Sequence, residues 1–395
     1  MNTDPARLPQ PEKEALTVGY IRLTDSAPLI IAQELGLFER YGLSVTLQSE
    51  PSWANLRDKV VVGVLDAAPM LAPLPLATAM GVGGIRADMV TGLVLSLNGN
   101  AITMANHLAR ELDQFGSNPA DSAVSSARAL QAWLQQRKGE SLLTLASTHT
   151  FSCHTFQLRS WLRCANLDPD RDVKIIVLPP EQMVDSLARG NIDGFCVGEP
   201  WNTVAVQHGV GSVMAAGYQV WNNFIEKVLG VTQKWHNSHP ATHLRLRLAL
   251  MEACGWLAVH HNRIAAADIL ARPEYLNLPV RQLLPSLSGQ FQYSKDSSPA
   301  DLPHFHVFGR FQAGFPWRSS AEYLLHRCNR LLGRDSDPEQ LKAMVQQTYR
   351  TDLYREAARA LNMEFPDSDY APPGPHSATW QLGSGLEMGP DLKLD

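Results

Sequence analysis

The sequence predicts an α/β protein of two lobes with a small-ligand cleft between them. Three observations carry this prediction. Strand-like and helix-like periods alternate from Leu16 onward, the alternation pauses in the polar, small-residue stretch QFGSNPADSAVSS (114–126), and it resumes over 142–197. At 395 residues the chain is long enough for two hydrophobic cores.

The elements follow in order. LTVGYIRL, beginning at Leu16, alternates as a strand does; TDSAP then offers polar caps, with Pro28 placed to open a helix that runs through IIAQELGLF and stops near Gly36. After Tyr41-Gly42 comes a strand over 43–47, closing a βαβ crossover. A helix over 54–63 with Ser52 as cap, a short apolar strand over 65–71 and a helix over 74–80 complete the first block. The stretch 114–126 reads as a hinge or a surface loop. The second block has strands over 142–146, 173–178 and 194–197, with helices over 151–164 and 181–187. A helical run over 242–270 is expected to return to the first lobe. The resulting division is a flexible segment 1–15, lobe 1 over 16–110 and 220–362, lobe 2 over 111–219, and a Pro/Gly-rich tail over 363–395 that wraps a surface or stays loose.

Composition narrows the function. Apolar residues are 45% and charged residues 18%, which fits a folded protein and excludes disorder outside the ends. The net charge of −5 without a dense basic run argues against direct nucleic-acid binding. The longest apolar stretch, 60–85, contains Asp66 and is broken by Pro69, Pro73 and Pro75, so membrane insertion is not expected. Five cysteines without a C-x-x-C pair suggest neither a disulfide framework nor a zinc site. The first fifteen residues carry acids and prolines and no apolar core, so the expected location is cytoplasmic.

No G-x-S-x-G, Walker A, H-E-x-x-H or dinucleotide fingerprint occurs, which weighs against an enzyme. His304 and His306 lack a third ligand nearby, and His260 and His261 fall in a helical run where neighbours face different ways; no metal or cofactor is expected. Cys153 beside His154 would be the one nucleophilic pair, but adjacent helical residues diverge by about 100°. Four loop-like stretches mix donors with aromatics: PSWAN (51–55), LNGN (97–100), SCH (152–154) and GEPWN (198–202). His154, Leu158 and Trp161 share one helical face, so His154 points inward from the first turn, where the helix dipole favours anions. Singly, each residue also has a structural reading, as core, turn or solvated strand.

The runs GYIRLTDSAPLIIAQELGLFERYGLSVTL, SWANLRDKVVVGVLDAAPMLAPLPLATAMG, LNGNAIT, CHTFQLRSWLRCANLDPD, GNIDGFCVGEPWN, EKVLGVTQKW, FPWRSSAEYLL and YRTDLYREAARALN resemble the nitrate- and bicarbonate-binding branch of the type II periplasmic binding proteins over about residues 16–362. The resemblance implies a two-lobed type II periplasmic-binding-protein-like fold with a ligand cleft between the lobes. Within the branch it points to the cytoplasmic nitrate sensors of the NasS type, which partner an ANTAR-type antiterminator (NasT-like). It also implies a nitrate site. Trp53 matches the tryptophan of S-W-A/G, His154 the histidine opening the lobe-2 helix, Gly198 the glycine of G-E-P-W-N and Lys227 the lysine of E-K-V-L-G; the amide donor falls on Asn98 or Asn100. Ala68-Pro69 departs from the more polar pair expected there.

The set suits the ligand's chemistry. Nitrate is a planar monoanion that only accepts hydrogen bonds. An ammonium, neutral donors, a close backbone N–H and an aromatic wall are what it needs. The resemblance implies that a bicarbonate site replaces this lysine by an acid and recruits a metal cation, so Lys227 favours nitrate or nitrite, provided it rather than Glu226 faces the ligand. The expected function is a nitrate/nitrite sensor that closes on the anion and controls its partner; the alternative is the binding protein of a nitrate, nitrite, cyanate or bicarbonate ABC transporter.

Overall fold

The computed structural model describes residues 5–394 apart from 138, 140 and 336, and the chain divides into two compact units. Unit 1 contains Met1–Leu97, Ile225–Ile269 and Val307–Pro390; unit 2 contains Asn98–Phe224, Leu270–His306 and Asp391–Asp395. The boundaries differ from those read in the sequence: 98–110 and 270–306 belong to unit 2, and 114–126 lies wholly inside it, as surface loop leading into the helix Ala123–Gln136.

Unit 1 opens with β1 (Ala15–Tyr20) and its parallel neighbour β2 (Ser44–Ser49), with Ala15 opposite Ser44. The crossover between them is the helix Ala27–Glu34 with Pro28 in its first turn; Gly36, at φ +64°, ends it in the left-handed conformation that glycine adopts without strain. The helix Trp53–Val61 follows, capped by the Ser52 hydroxyl, which accepts the Asn55 N–H at 3.2 Å. Then come β3 (Ala68–Leu71), β4 (Met89–Val90) and β5 (Val94–Asn98). Strands β3 and β5 have every residue buried, which is why β3 reads as an apolar run without alternation. Pro69 is tolerated in β3 because that strand ends the sheet order.

The chain next builds the sheet of unit 2 from β6 (Asn100–Ala105), β7 (Thr144–Ser147), β8 (Lys174–Val177), β9 (Gly194–Gly198) and β10 (Gly211–Ala216), in the order β10-β6-β9-β7-β8. Strand β7 runs parallel to β8 and β9, whereas β6 is antiparallel to β9 and β10. The carboxyl ends of β7 and β9 and the amino end of β6 therefore share one edge, with Asn100 opposite Gly198. Finally β11 (Ile225–Thr232) returns to unit 1 and lies antiparallel between β3 and β5, with Lys227 opposite Leu71 and Ser96.

Residues 270–306 join unit 2 through their aromatic side chains. Phe291 and Phe305 stack at 4.4 Å and pack, with Tyr293, on Ala101, Val206, Val213 and Ala216. Fully burying each such ring is worth about 1.5–3 kcal/mol, enough to recruit a segment whose regular structure is the helix Val280–Ser288 and two-residue strands. The expected helix over 242–270 is two helices, Pro240–Ala258 and Asn262–Leu270, and the exposed His260 and His261 occupy the turn between them rather than a helical run.

The tail is anchored. Asp369 accepts hydrogen bonds from Thr351 Oγ1 and Arg355 Nη1 at 2.6 Å each and pairs with Arg318. Although its partial burial works the other way, these donors hold the Asp369 carboxyl below the usual range. Asp369→Ala is expected to lower stability by about 2 kcal/mol and to speed proteolysis beyond residue 365, read by thermal denaturation and limited digestion; an unchanged midpoint and cleavage pattern would show that the arginines do not hold the tail.

Candidate functional site

The sequence-predicted residues fall into two sets, one in each unit. In unit 2, Ser152 caps the helix Cys153–Arg163 by accepting the Thr155 N–H at 3.0 Å, which places His154 in the first turn. Its ring is fully buried, and Nδ1 lies 3.0 Å from the Thr148 hydroxyl. When Thr148 donates, Nδ1 is the acceptor and Nε2 carries the ring proton, so the histidine presents a neutral N–H donor.

Asn100 is fully buried on β6 opposite Gly198. A side chain at Gly217 would put a carbon 2.1 Å from the Asn100 Oδ1, so only glycine leaves room for that amide. Asn98 has a different role. It sits at φ +58°, its Nδ2 donates to the His304 carbonyl at 2.7 Å, and its Oδ1 accepts the Phe224 N–H at 3.3 Å. Its amide thus closes the turn where the chain enters unit 2, leaving Asn100 as the asparagine at the sheet edge. Gly99 shares the turn at φ +88°, with His306 packed where a Cβ would stand. Among the described residues no group of three His, Cys, Asp or Glu is arranged to hold a metal ion.

Gly198 ends β9, and the next residue, Glu199, is fully buried. Burial outweighs the stabilising hydrogen bonds from Thr203 and Asn202 and pushes its carboxyl up to about 7. Sequence reasoning passed over Glu199 because its burial depends on the whole sheet.

In unit 1, Trp53 opens its helix with 1% of its surface exposed, and its indole N–H makes no hydrogen bond among the described residues. The Lys227 ammonium lies 5.2 Å from the centre of that ring. It also lies 2.9 Å from Asp25 Oδ2 and 2.9 Å from Glu226 Oε1, with Lys227 wholly buried. Two carboxylates thus face the one ammonium. Burial alone would lower the Lys227 pKa, but Asp25 and Glu226 outweigh that and raise it, keeping the ammonium charged. Burial pushes Asp25 upward, against the pull of Lys227.

Lys227 and its neighbour Glu226 are both buried. Strand neighbours normally point to opposite faces, yet the pairing of β11 with β5 shifts register between Ile225 and Lys227 and again between Lys227 and Val228. That irregularity lets Glu226 reach its neighbour's ammonium. No pattern in E-K-V-L-G signals it. Asp25 had a weak signal, as the acid in the T-D-S turn directly after β1.

A two-unit α/β architecture with buried donors at the strand ends defines the class: a periplasmic-binding-protein-like fold. Residues 9–271 match the NMT1-like family, and the chain belongs to that family. It is 37% identical over 361 residues to the nitrate import ATP-binding protein NrtC of Synechocystis, covering 91% of this chain and 52% of that protein. It therefore spans about half the length of the first curated relatives it matches. It is 32% identical over 371 residues to the nitrate/nitrite binding protein NrtA of Synechococcus elongatus, covering 91% of this chain and 81% of that one. The crystal structure of the periplasmic nitrate-binding protein NrtA from Synechocystis superposes with a TM-score of 0.84 at 28% identity, covering 97% of both chains. No helix among the described residues is long and apolar enough to cross a membrane.

The Glu199 geometry makes a pH prediction. A carboxyl whose folded pKa of about 7 exceeds its ordinary value of about 4.5 gives stability that is complete below about 4.5 and is lost as pH rises to about 7. At most this amounts to about 3 kcal/mol. Relative to wild type, Glu199→Gln is expected to gain in melting temperature from pH 5 to about pH 7 and to level off above that; a constant difference from pH 5 to pH 8 would mean that the Glu199 pKa is not raised by folding.

Proposed function

We propose that this chain is the anion-binding receptor of an ABC-type import system for nitrate or nitrite. The observation that carries the reading is the buried donor set of unit 2, where His154 leans on Thr148 at the start of a helix and Asn100 stands opposite Gly198. A small oxyanion that only accepts hydrogen bonds suits such a set. The proposed binding residues are Asn100, His154 and Gly198 in unit 2 and Trp53 and Lys227 in unit 1; Asn98 is assigned to the turn instead. The similarity to proteins named for nitrate binding and nitrate import supports the same ligand. The ATP-binding activity in the name of the longer relative is not carried over, since the chain spans only half of it.

The finer reading is a cytoplasmic sensor whose anion-bound form releases an ANTAR-type antiterminator, with RNA contact left to that partner. It rests on the resemblance to NasS-type sensors, whereas the relatives are named for import or binding. Nitrate-reversible co-purification with an antiterminator would favour the sensor; nitrate-dependent stimulation of an ABC transporter favours the receptor.

Calorimetric titration at matched ionic strength is expected to detect nitrate or nitrite and not bicarbonate, and His154→Ala to weaken nitrate about tenfold or more. Unchanged affinity would return His154 to a purely structural role. Lys227→Ala is expected to abolish binding and also to cost about 3–5 kcal/mol of stability, because Asp25 and Glu226 are left buried without their cation. Retained affinity would remove Lys227 from the site.

A further inference from the structure

The Lys227 cluster has a charge problem that its ligand must solve. One ammonium faces two carboxylates at 2.9 Å each, and the three side chains are 0%, 2% and 2% exposed. With both acids ionised the cluster carries +1 and twice −1, a net −1, before any ligand arrives. A monoanion beside Lys227 would bring this to −2 in a place that water cannot screen.

We propose that anion binding at this cluster takes up one proton from solvent onto the Asp25 carboxylate, so that Asp25 sets the charge balance and the affinity of the site. The inference rests on the nitrate reading above. No bond to the anion forms or breaks: a proton adds to a carboxylate oxygen as the anion enters, and the total charge stays at −1. Asp25 is the acid placed for this, because Oδ2 faces Lys227 while Oδ1 has no hydrogen-bond partner among the described residues. Protonation turns that repelling oxygen into an O–H donor, the kind of group an acceptor-only anion can use. The charged groups facing Asp25 are Lys227 and Glu226, both on β11. The other elements beside the cluster bring neutral residues, Trp53 with its ring 5.2 Å from the ammonium and Ser96 as the register partner of Lys227 on β5. Burial already disposes Asp25 toward its neutral form.

The test is nitrate titration calorimetry on the full chain in paired buffers of different ionisation enthalpy, at steps from about pH 6 to pH 9. Uptake is expected to rise toward one proton per nitrate, with affinity falling up to tenfold per pH unit. Asp25→Asn is expected to bind without uptake and with affinity level in pH. Glu199→Gln is run in parallel because Glu199 also titrates in this range, and it is expected to keep the uptake. Zero uptake with pH-independent affinity in the wild type, undiminished uptake in Asp25→Asn, or uptake lost in Glu199→Gln would overturn the proposal. If Asp25→Asn does not fold, the wild type and Glu199→Gln still decide. Absence of nitrate binding to the wild type at every pH would instead sink the nitrate reading, and this inference with it.

Discussion

A lysine with no exposed surface stays charged only when carboxylates stand beside it, and the centre of unit 1 is arranged around that requirement. Lys227 lies on the strand between β3 and β5, where an unpaired ammonium would be prohibitively costly. Asp25 arrives from the turn after β1, Glu226 from an irregularity in β11 itself, and Trp53 lays its ring alongside. Four residues from three separate stretches of chain are thereby fixed at one place. The β-bulge that would count as a defect in an ordinary strand is what brings the second carboxylate to the charge.

Unit 2 meets a related constraint with neutral groups. The parallel strands β7 and β9 end at the same edge at which β6 begins, so chain ends and helix starts converge there. Backbone and side-chain polar groups that would be orphaned are tied together locally: Ser152 to Thr155, Ser147 to Thr155, and Thr148 to His154. This fixes a buried histidine ring in place. Polar groups held this way need little rearrangement to meet a partner. Asn98 and Gly99 show the other side of the same constraint. Both adopt left-handed backbone, and the Asn98 side chain goes to closing the passage into the unit.

Much of this was legible in the sequence. Ser52 announced one helix start, Pro28 another, and Gly36 an end, because caps and breakers act through neighbours only a few residues away. Helical spacing put His154 on one face with Leu158 and Trp161, whereas the fold buries that helix on every side from Cys153 to Leu162. The unit boundaries were less legible. Residues 270–306 carry almost no regular strand or helix pattern beyond one helix, and their membership of unit 2 comes from Phe291, Tyr293 and Phe305 finding a distant apolar face.

The sequence by itself determined the α/β rhythm, the local starts and stops, and which few residues have the chemistry to receive an anion, since each depends on short-range geometry or on residue type. Tertiary structure alone decided what those residues have left to offer. It committed the Asn98 amide to His304 and Phe224, left Asn100 at the sheet edge beside Gly217, and set two carboxylates against Lys227. Partners more than a hundred residues apart, and a strand irregularity that reverses the usual alternation, exist only once the chain has folded.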